Sequence, residues 1–421
     1  MTLSLSEVLE QIGERAASAG RILSQATTNQ KNEALLAIAR RIEQEAPAIL
    51  AANEADLQAG ARSGLSSAML DRARLDPKRI QTIANSVREV VHLTDPVGEV
   101  LREWSRPNGL KISKRRVPIG VIGIIYESRP NVTSDAASLC LKAGNAVILR
   151  GGSEAIQSNM ALAEAVGDGC KDAGLPEYSV QLVPSTDRAA VMLMAQLDRY
   201  IHLIIPRGGR SLIEAVTSAA RMPVIKHFDG ICAAYVDRSA DLQMAERIVV
   251  NAKCQRPGVC NAIETLLVHE EIARRFLPDC AGALWEKGVE LRGDPFTREI
   301  LGAKVLLATE EDWRTEYLDL TLAVKTVPSL DEAVDHIETY GSHHSDAIIT
   351  EDPLAAQKFL NRVDSAAVFW NASTRFNDGA EFGFGAEIGI STDRLHARGP
   401  MGLEELTSYK YLVEGTGQVR G

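Results

Sequence analysis

Strands alternating with helices through most of the chain predict an α/β protein built on mainly parallel sheets. Short β-rich runs recur from residue 121 onward, and helical stretches separate most of them. The runs are also apolar on both faces, as strands are when helices cover a sheet on both sides. At roughly 100–200 residues per domain, the chain of 421 residues has room for two or three domains. It can also bury a large core without disulfide or metal staples.

Taken in order, the first hundred residues read as helices. Leu35, Leu36, Ile38, Ala39 and Ile42 recur at helical spacing, and Ile80, Ile83, Val87, Val90 and Val91 do so after the start signal Asp76-Pro77. Arg106-Pro107-Asn108-Gly109 signals a turn, and the alternating run Leu110–Arg116 then predicts a half-exposed antiparallel ribbon, suited to an oligomer arm. The strands expected next are Val121–Tyr126, Ala146–Arg150, Val180–Val183, Ile201–Ile205, Ala233–Val236, Thr265–Val268, Ala323–Val327, Ala347–Thr350 and Ala367–Trp370. Helices are expected over Ala155–Ala173, Asp187–Leu197, Ser211–Ala220, Asp241–Ala252 and Glu270–Lys287. No internal repeat or low-complexity segment interrupts this order.

The net charge of -10 argues against a nucleic-acid partner, since a duplex binder needs a basic face. An anionic small molecule remains open through a local cluster of Arg, Lys and backbone N–H groups. Cys140, Cys170, Cys232, Cys254, Cys260 and Cys280 are dispersed, which predicts free thiols in a reducing compartment. The first 17 residues lack the basic start and apolar run of a signal peptide, and no segment has the apolar length of a membrane span. A soluble cytoplasmic protein with no membrane partner is the expectation.

Four motifs bear on chemistry. The first runs from Asn251 to Ala262, where a polar Gly/Pro-bearing loop presents Cys260 ahead of a strand. Lys253 and Arg256 are placed to raise its thiolate fraction and make it a nucleophile; the alternative is a small buried apolar residue. The six-residue Cys254–Cys260 spacing is unlike a C-x-x-C pair and gives a metal site little support.

The second is Pro118–Asn131, a buried strand running into a polar loop. Arg129 and Asn131 there are candidate donors to an anion or oxyanion, or Asn131, Thr133 or Ser134 simply caps a helix. The third is Leu141–Glu154. Gly151 and Gly152 permit close backbone approach, Ser153-Glu154 opens a helix whose start favours phosphate, and Arg150 suits a 2′-phosphate. An unliganded turn with an N-cap serine is the alternative. The fourth is Pro206-Arg207-Gly208-Gly209, an amide nest for phosphate or a solvated surface turn. The Gly383–Gly389 stretch reads as flexible backbone, and His343-His344 as a solvated loop and not a metal pair.

In this order, Pro118–Gly123, Leu141–Glu154 and Val259–Val268 resemble the aldehyde dehydrogenase superfamily across nearly the whole chain. Within it, the strings Val121–Thr133, Ile204–Gly209, Gln255–Thr265 and Arg394–Leu403 resemble the γ-glutamyl phosphate reductases. The resemblance implies an aldehyde dehydrogenase-like fold, with two parallel-sheet α/β domains and a small oligomerisation β-arm. The implied ranges are 1–106 and 118–226 for a cofactor-binding domain, with a return segment near 372–399. A catalytic domain would span 227–371, and the arm 107–117 and 400–421.

The implied reaction is NADPH-dependent reduction of γ-glutamyl 5-phosphate through a thioester on Cys260, a step of proline synthesis. Cys260, Asn131 and Arg129 would be catalytic, and Arg129, Arg256 and His227 would contact substrate. Arg150, Gly151, Gly152, Ser153, Glu154, Pro206, Arg207, Gly208, Gly209 and Glu316 would hold NADP. His227 stands where aldehyde-oxidising members carry the Glu that activates water, which argues against hydrolysis. The competing reading is NAD-dependent oxidation of a free aldehyde. A homo-oligomer follows from the resemblance, and an association with glutamate 5-kinase is compatible with it; no metal is implied.

Overall fold

The computed structural model describes residues 3–420; the outermost residues of the expected ranges, Met1, Thr2 and Gly421, lie outside the described residues. Two compact units emerge. Within the described residues, one comprises 3–226, 383–389 and 401–420, and the other 227–382 and 390–400.

The first unit opens with helices Leu5–Leu23, Thr28–Gln44, Ala46–Arg62, Ser67–Ala73 and Pro77–His92. Their starts are set by side chains that satisfy orphan amides. Ser4 and Glu7 form a capping box, as do Thr27 and Gln30, and Asp76 accepts from the Arg79 amide beside Pro77 at N1. Ile80, Ile83, Val87 and Val90 are buried as their spacing predicts. Leu36 faces outward and Val91 is only half-buried.

A four-stranded parallel sheet follows, in the order Val180–Leu182, Ala146–Arg150, Val121–Tyr126, Leu203–Arg207. Chain order reverses beside Val121–Tyr126, which makes a crevice at the carboxyl ends of that strand and Leu203–Arg207, the usual ligand position in open α/β sheets. The ribbon is three-stranded and antiparallel: Lys111–Pro118 is flanked by Val100–Ser105 and Thr407–Glu414. It therefore begins upstream of the turn at Pro107 that marked its expected start. The Gly383–Gly389 stretch, expected to be flexible, is anchored. The Ile388 and Met401 amides bond the Met401 and Gly389 carbonyls, and a Cβ on Gly385 would lie 2.1 Å from Leu93.

The second unit is a seven-stranded parallel sheet, ordered Leu306–Leu307, Glu290–Gly293, Thr321–Val327, Ile263–His269, Cys232–Val236, Ser345–Ile349, Ala367–Trp370. Alternation along Cys232–Val236 sends Ala234 and Val236 into one core with Leu266, Phe276 and Leu284, and Ala233 and Tyr235 into another with Ile337 and Phe359. Both faces are thus covered. The strands Glu290–Gly293 and Leu306–Leu307 had no sequence signal, because they are short and lie at or next to the sheet edge, where Leu306 and Leu307 stay exposed. All six cysteines are free thiols. Among the described residues no helix is long and apolar enough to cross a membrane.

Candidate functional site

In the second unit, the chemically interesting residues converge on the amino ends of the sheet strands. His227 and Gly230 precede Cys232–Val236, Cys260 precedes Ile263–His269, Glu316 precedes Thr321–Val327, and His344 precedes Ser345–Ile349. Parallel strands bring all of these segments to one edge, so residues more than a hundred positions apart become neighbours.

Cys260 is half-buried on a turn closed by the Ala262 amide and the Val259 carbonyl, 3.1 Å apart. Gly230 packs directly on it: a Cβ there would lie 2.1 Å from the Cys260 carbonyl oxygen. Beneath, the Cys232 thiol donates to that same oxygen at 3.1 Å. The next residue, Asn261, is pinned through its side-chain nitrogen to the Asn377 carbonyl at 2.9 Å, while the Thr374 hydroxyl donates to its backbone oxygen at 2.7 Å. The turn is therefore held from several sides.

Lys253, expected to act on this thiol, has a partner of its own. It is fully buried and paired with Glu264 at 2.5 Å. Burial is the largest influence on Glu264 and pushes its carboxyl up to about 7, against the pull of Lys253. Glu264 also receives the Leu318 amide at 3.2 Å. Glu316, two residues earlier, accepts the Gly230 amide at 2.9 Å. In this unit Glu316 thus braces the Cys260 turn through Gly230.

A cation in electrostatic reach of the thiol that sequence reasoning missed is Arg375, on a short 3-10 turn. Its Nε donates to Gln255 at 2.8 Å. Burial, and then repulsion from Arg256, lower its pKa, while Cys260 is among the groups pulling the other way. Two guanidiniums that repel each other near a thiol form a receptive place for an anion. No periodicity announces Arg375, because it lies in a loop.

His344 corrects another expectation. It is fully buried, not solvated, and burial pushes its imidazole down to about 3, so the ring is neutral. Its Nδ1 lies 2.8 Å from the Ser345 hydroxyl and its Nε2 has no hydrogen-bond partner. His227 meets it edge-on, with centroids 5.4 Å apart, and His227 Nδ1 donates to the Ile390 carbonyl at 2.7 Å.

In the first unit the expected anion donors are partly taken by the protein's own carboxylates. Helix Ile156–Asp172 is capped by Asp56, which accepts the Gln157 and Ser158 amides at 3.2 and 2.8 Å. Ser153 is no N-cap; Ser153–Ala155 forms a 3-10 turn. Glu154 accepts the Ser128 hydroxyl at 2.7 Å, and Glu127 accepts the Gly209 amide at 2.9 Å. A Cβ on Gly208 would meet the Glu127 carboxylate, which lies close over the turn. Pro206 lies within its strand, and Arg207 packs on Gly389, where φ is +143.

Arg150 differs. It is buried, with Nη2 3.4–3.5 Å from the Thr186 and Asp187 carbonyls and Nε without a partner. Gly151 has no space for a Cβ, 2.1 Å from Asn159, whose Nδ2 is likewise buried and unpartnered. These orphaned donors at a strand end fit a dinucleotide. Asn131 caps helix Val132–Lys142 without its side chain, which instead donates to Asp135 at 2.8 Å. Arg129 is exposed on the loop before it.

The sequence pattern of the aldehyde dehydrogenase family matches residues 3–300. The γ-glutamyl phosphate reductase of Moorella thermoacetica is 59% identical over 409 residues, covering 97% of each chain. That of Clostridium botulinum strain Alaska E43 is 56% identical over 408 residues, covering 97% of this chain and 98% of the other. The crystal structure of γ-glutamyl phosphate reductase from Thermotoga maritima superposes with a TM-score of 0.96 at 49% identity, covering 98% of this chain and all of that one.

Proposed function

The chain belongs to the aldehyde dehydrogenase family, and from its 59% and 56% identity to γ-glutamyl phosphate reductases over 97% of its length we propose that it reduces γ-glutamyl 5-phosphate to glutamate-5-semialdehyde and phosphate, the second step of proline biosynthesis. The observation that carries the reading is a half-buried thiol, Cys260, with an imidazole nitrogen of His227 within 4.8 Å and no carboxylate in the place of the hydrolytic Glu. The Cys260 sulfur attacks the acyl carbon, the C–O bond to phosphate breaks, and phosphate leaves toward Arg256 and Arg375. The thioester divides one hard reduction into two easier steps. Bound NADPH supplies the hydride.

The donors proposed for the oxyanion are the Cys260 backbone N–H, and Asn131 or Arg129. Asp135 takes one hydrogen of the Asn131 amide and orients the group, and an amide nitrogen carries two. Arg150, with its partnerless Nε, supports NADPH over NADH. Exposed Tyr409, Tyr411 and Val413 on the ribbon support a homo-oligomer joined there.

The test is oxidation of the semialdehyde with NADP⁺, followed by NADPH absorbance. Turnover that requires inorganic phosphate is expected; equal turnover without phosphate would instead favour a hydrolytic, NAD-linked aldehyde oxidiser.

A further inference from the structure

We infer that His227, Cys260 and His344 form a binding site for a thiophilic divalent cation, zinc above all, which masks the thiol reversibly. One ligand atom from each residue lies within 4.8 Å of the other two. Tetrahedral zinc with bonds of about 2.0–2.3 Å to nitrogen and sulfur spaces its ligand atoms about 3.4–3.6 Å apart. The cluster is thus a preformed but open version of that geometry, and needs a contraction on the order of 1 Å.

The donor atoms are prepared for a cation. The Ile390 carbonyl can only accept, so the His227 ring carries a hydrogen on Nδ1. A ring N–H held by a backbone carbonyl is the arrangement that orients metal-binding histidines through their other nitrogen. His344 is fully buried, and its Nε2 has no hydrogen-bond partner. An orphaned imidazole nitrogen in a protein interior calls for an explanation, and a metal ion supplies one. Its Nδ1 is held by Ser345, whose hydroxyl also receives the Asn377 side chain at 2.7 Å.

Two nitrogens and one thiolate leave the fourth position of zinc open. Binding exchanges the thiol proton for a Zn–S bond and releases that proton. The sulfur cannot then attack an acyl phosphate. The site goes beyond the proposed reaction and does not depend on it, because its readouts are occupancy and thiol reactivity.

The experiment uses the full chain. Zinc is titrated against a chromogenic chelator, and iodoacetamide alkylation of Cys260 is followed by peptide mass spectrometry with and without zinc. One zinc per chain, an alkylation rate cut at least tenfold, and full recovery with EDTA are expected. With Co²⁺ as probe, a sulfur-to-cobalt charge-transfer band should appear and vanish in Cys260→Ser. His344→Asn and His227→Asn should each weaken zinc binding on the order of 10–100-fold. The second keeps the test intact if the buried position tolerates no change. Absence of zinc binding, an alkylation rate indifferent to zinc, or unchanged affinity in both histidine variants would overturn the inference.

Discussion

Gly230 and Cys260 are in backbone contact: a Cβ on residue 230 would lie 2.5 Å from the Cys260 Cα and 2.1 Å from its carbonyl oxygen. No side chain can relax this clash, because both partners are main chain. Gly230→Ala should therefore displace the thiol, and misplacement of a reacting group by about 1 Å costs on the order of 10²-fold in rate. Steady-state kinetics on the variant would show kcat falling while the fold, followed by circular dichroism, persists. An unchanged kcat would mean the contact does not position Cys260.

Lys253 and Glu264 form an ion pair with side chains 0% and 1% exposed. Removing one partner of such a pair leaves a buried group uncompensated, at a cost of about 3–5 kcal/mol. Lys253→Met should show that loss in urea unfolding. The double variant with Glu264→Leu should recover most of it, since an apolar pair of similar volume fits the same space.

Asp135 supplies a pH signature. Burial is the dominant influence and pushes its carboxyl from the ordinary 3.8 up to about 6, against the Asn131 hydrogen bond. The folded chain therefore holds a proton that the unfolded chain has lost between these values. Its contribution to stability is full below pH 3.8 and is lost as pH rises to about 6. Asp135→Asn should flatten that part of the stability profile, by on the order of 2–3 kcal/mol between the ends of the window. Urea midpoints measured from pH 4 to 7 in both proteins would decide it.

Arg150 should discriminate between the two nicotinamide dinucleotides. Arg150→Ala is expected to raise KM for NADPH roughly tenfold or more, as loss of a charged hydrogen bond does, and to leave KM for NADH much closer to its original value. Equal effects on both would remove the 2′-phosphate from the reading.

Arg375 provides a matching test on the anion side. Arg375→Ala should raise KM for phosphate in the oxidative direction about tenfold or more, again the scale of one charge-assisted contact. A variant affecting only stability would leave that KM unchanged.

The strand-helix alternation was legible because it is local. Short continuous apolar runs and period-3.6 burial patterns are written into neighbouring residues, and Val121–Tyr126, Ala146–Arg150 and Ala367–Trp370 appear where those runs lie. Glu290–Gly293 and Leu306–Leu307 escaped because short strands at a sheet edge carry too little pattern.

What only tertiary structure decided is which polar groups meet. Lys253 lies seven residues from Cys260 in the chain yet spends its charge on Glu264, while Arg375, more than a hundred residues away, shares the field of the thiol. Asp56 caps a helix opened a hundred residues later, and His344 is buried instead of solvated. Sequence alone determined the elements and the residue types at their ends. The pairing of charges and lone pairs depends on where parallel strands bring those ends together, and no local pattern encodes that.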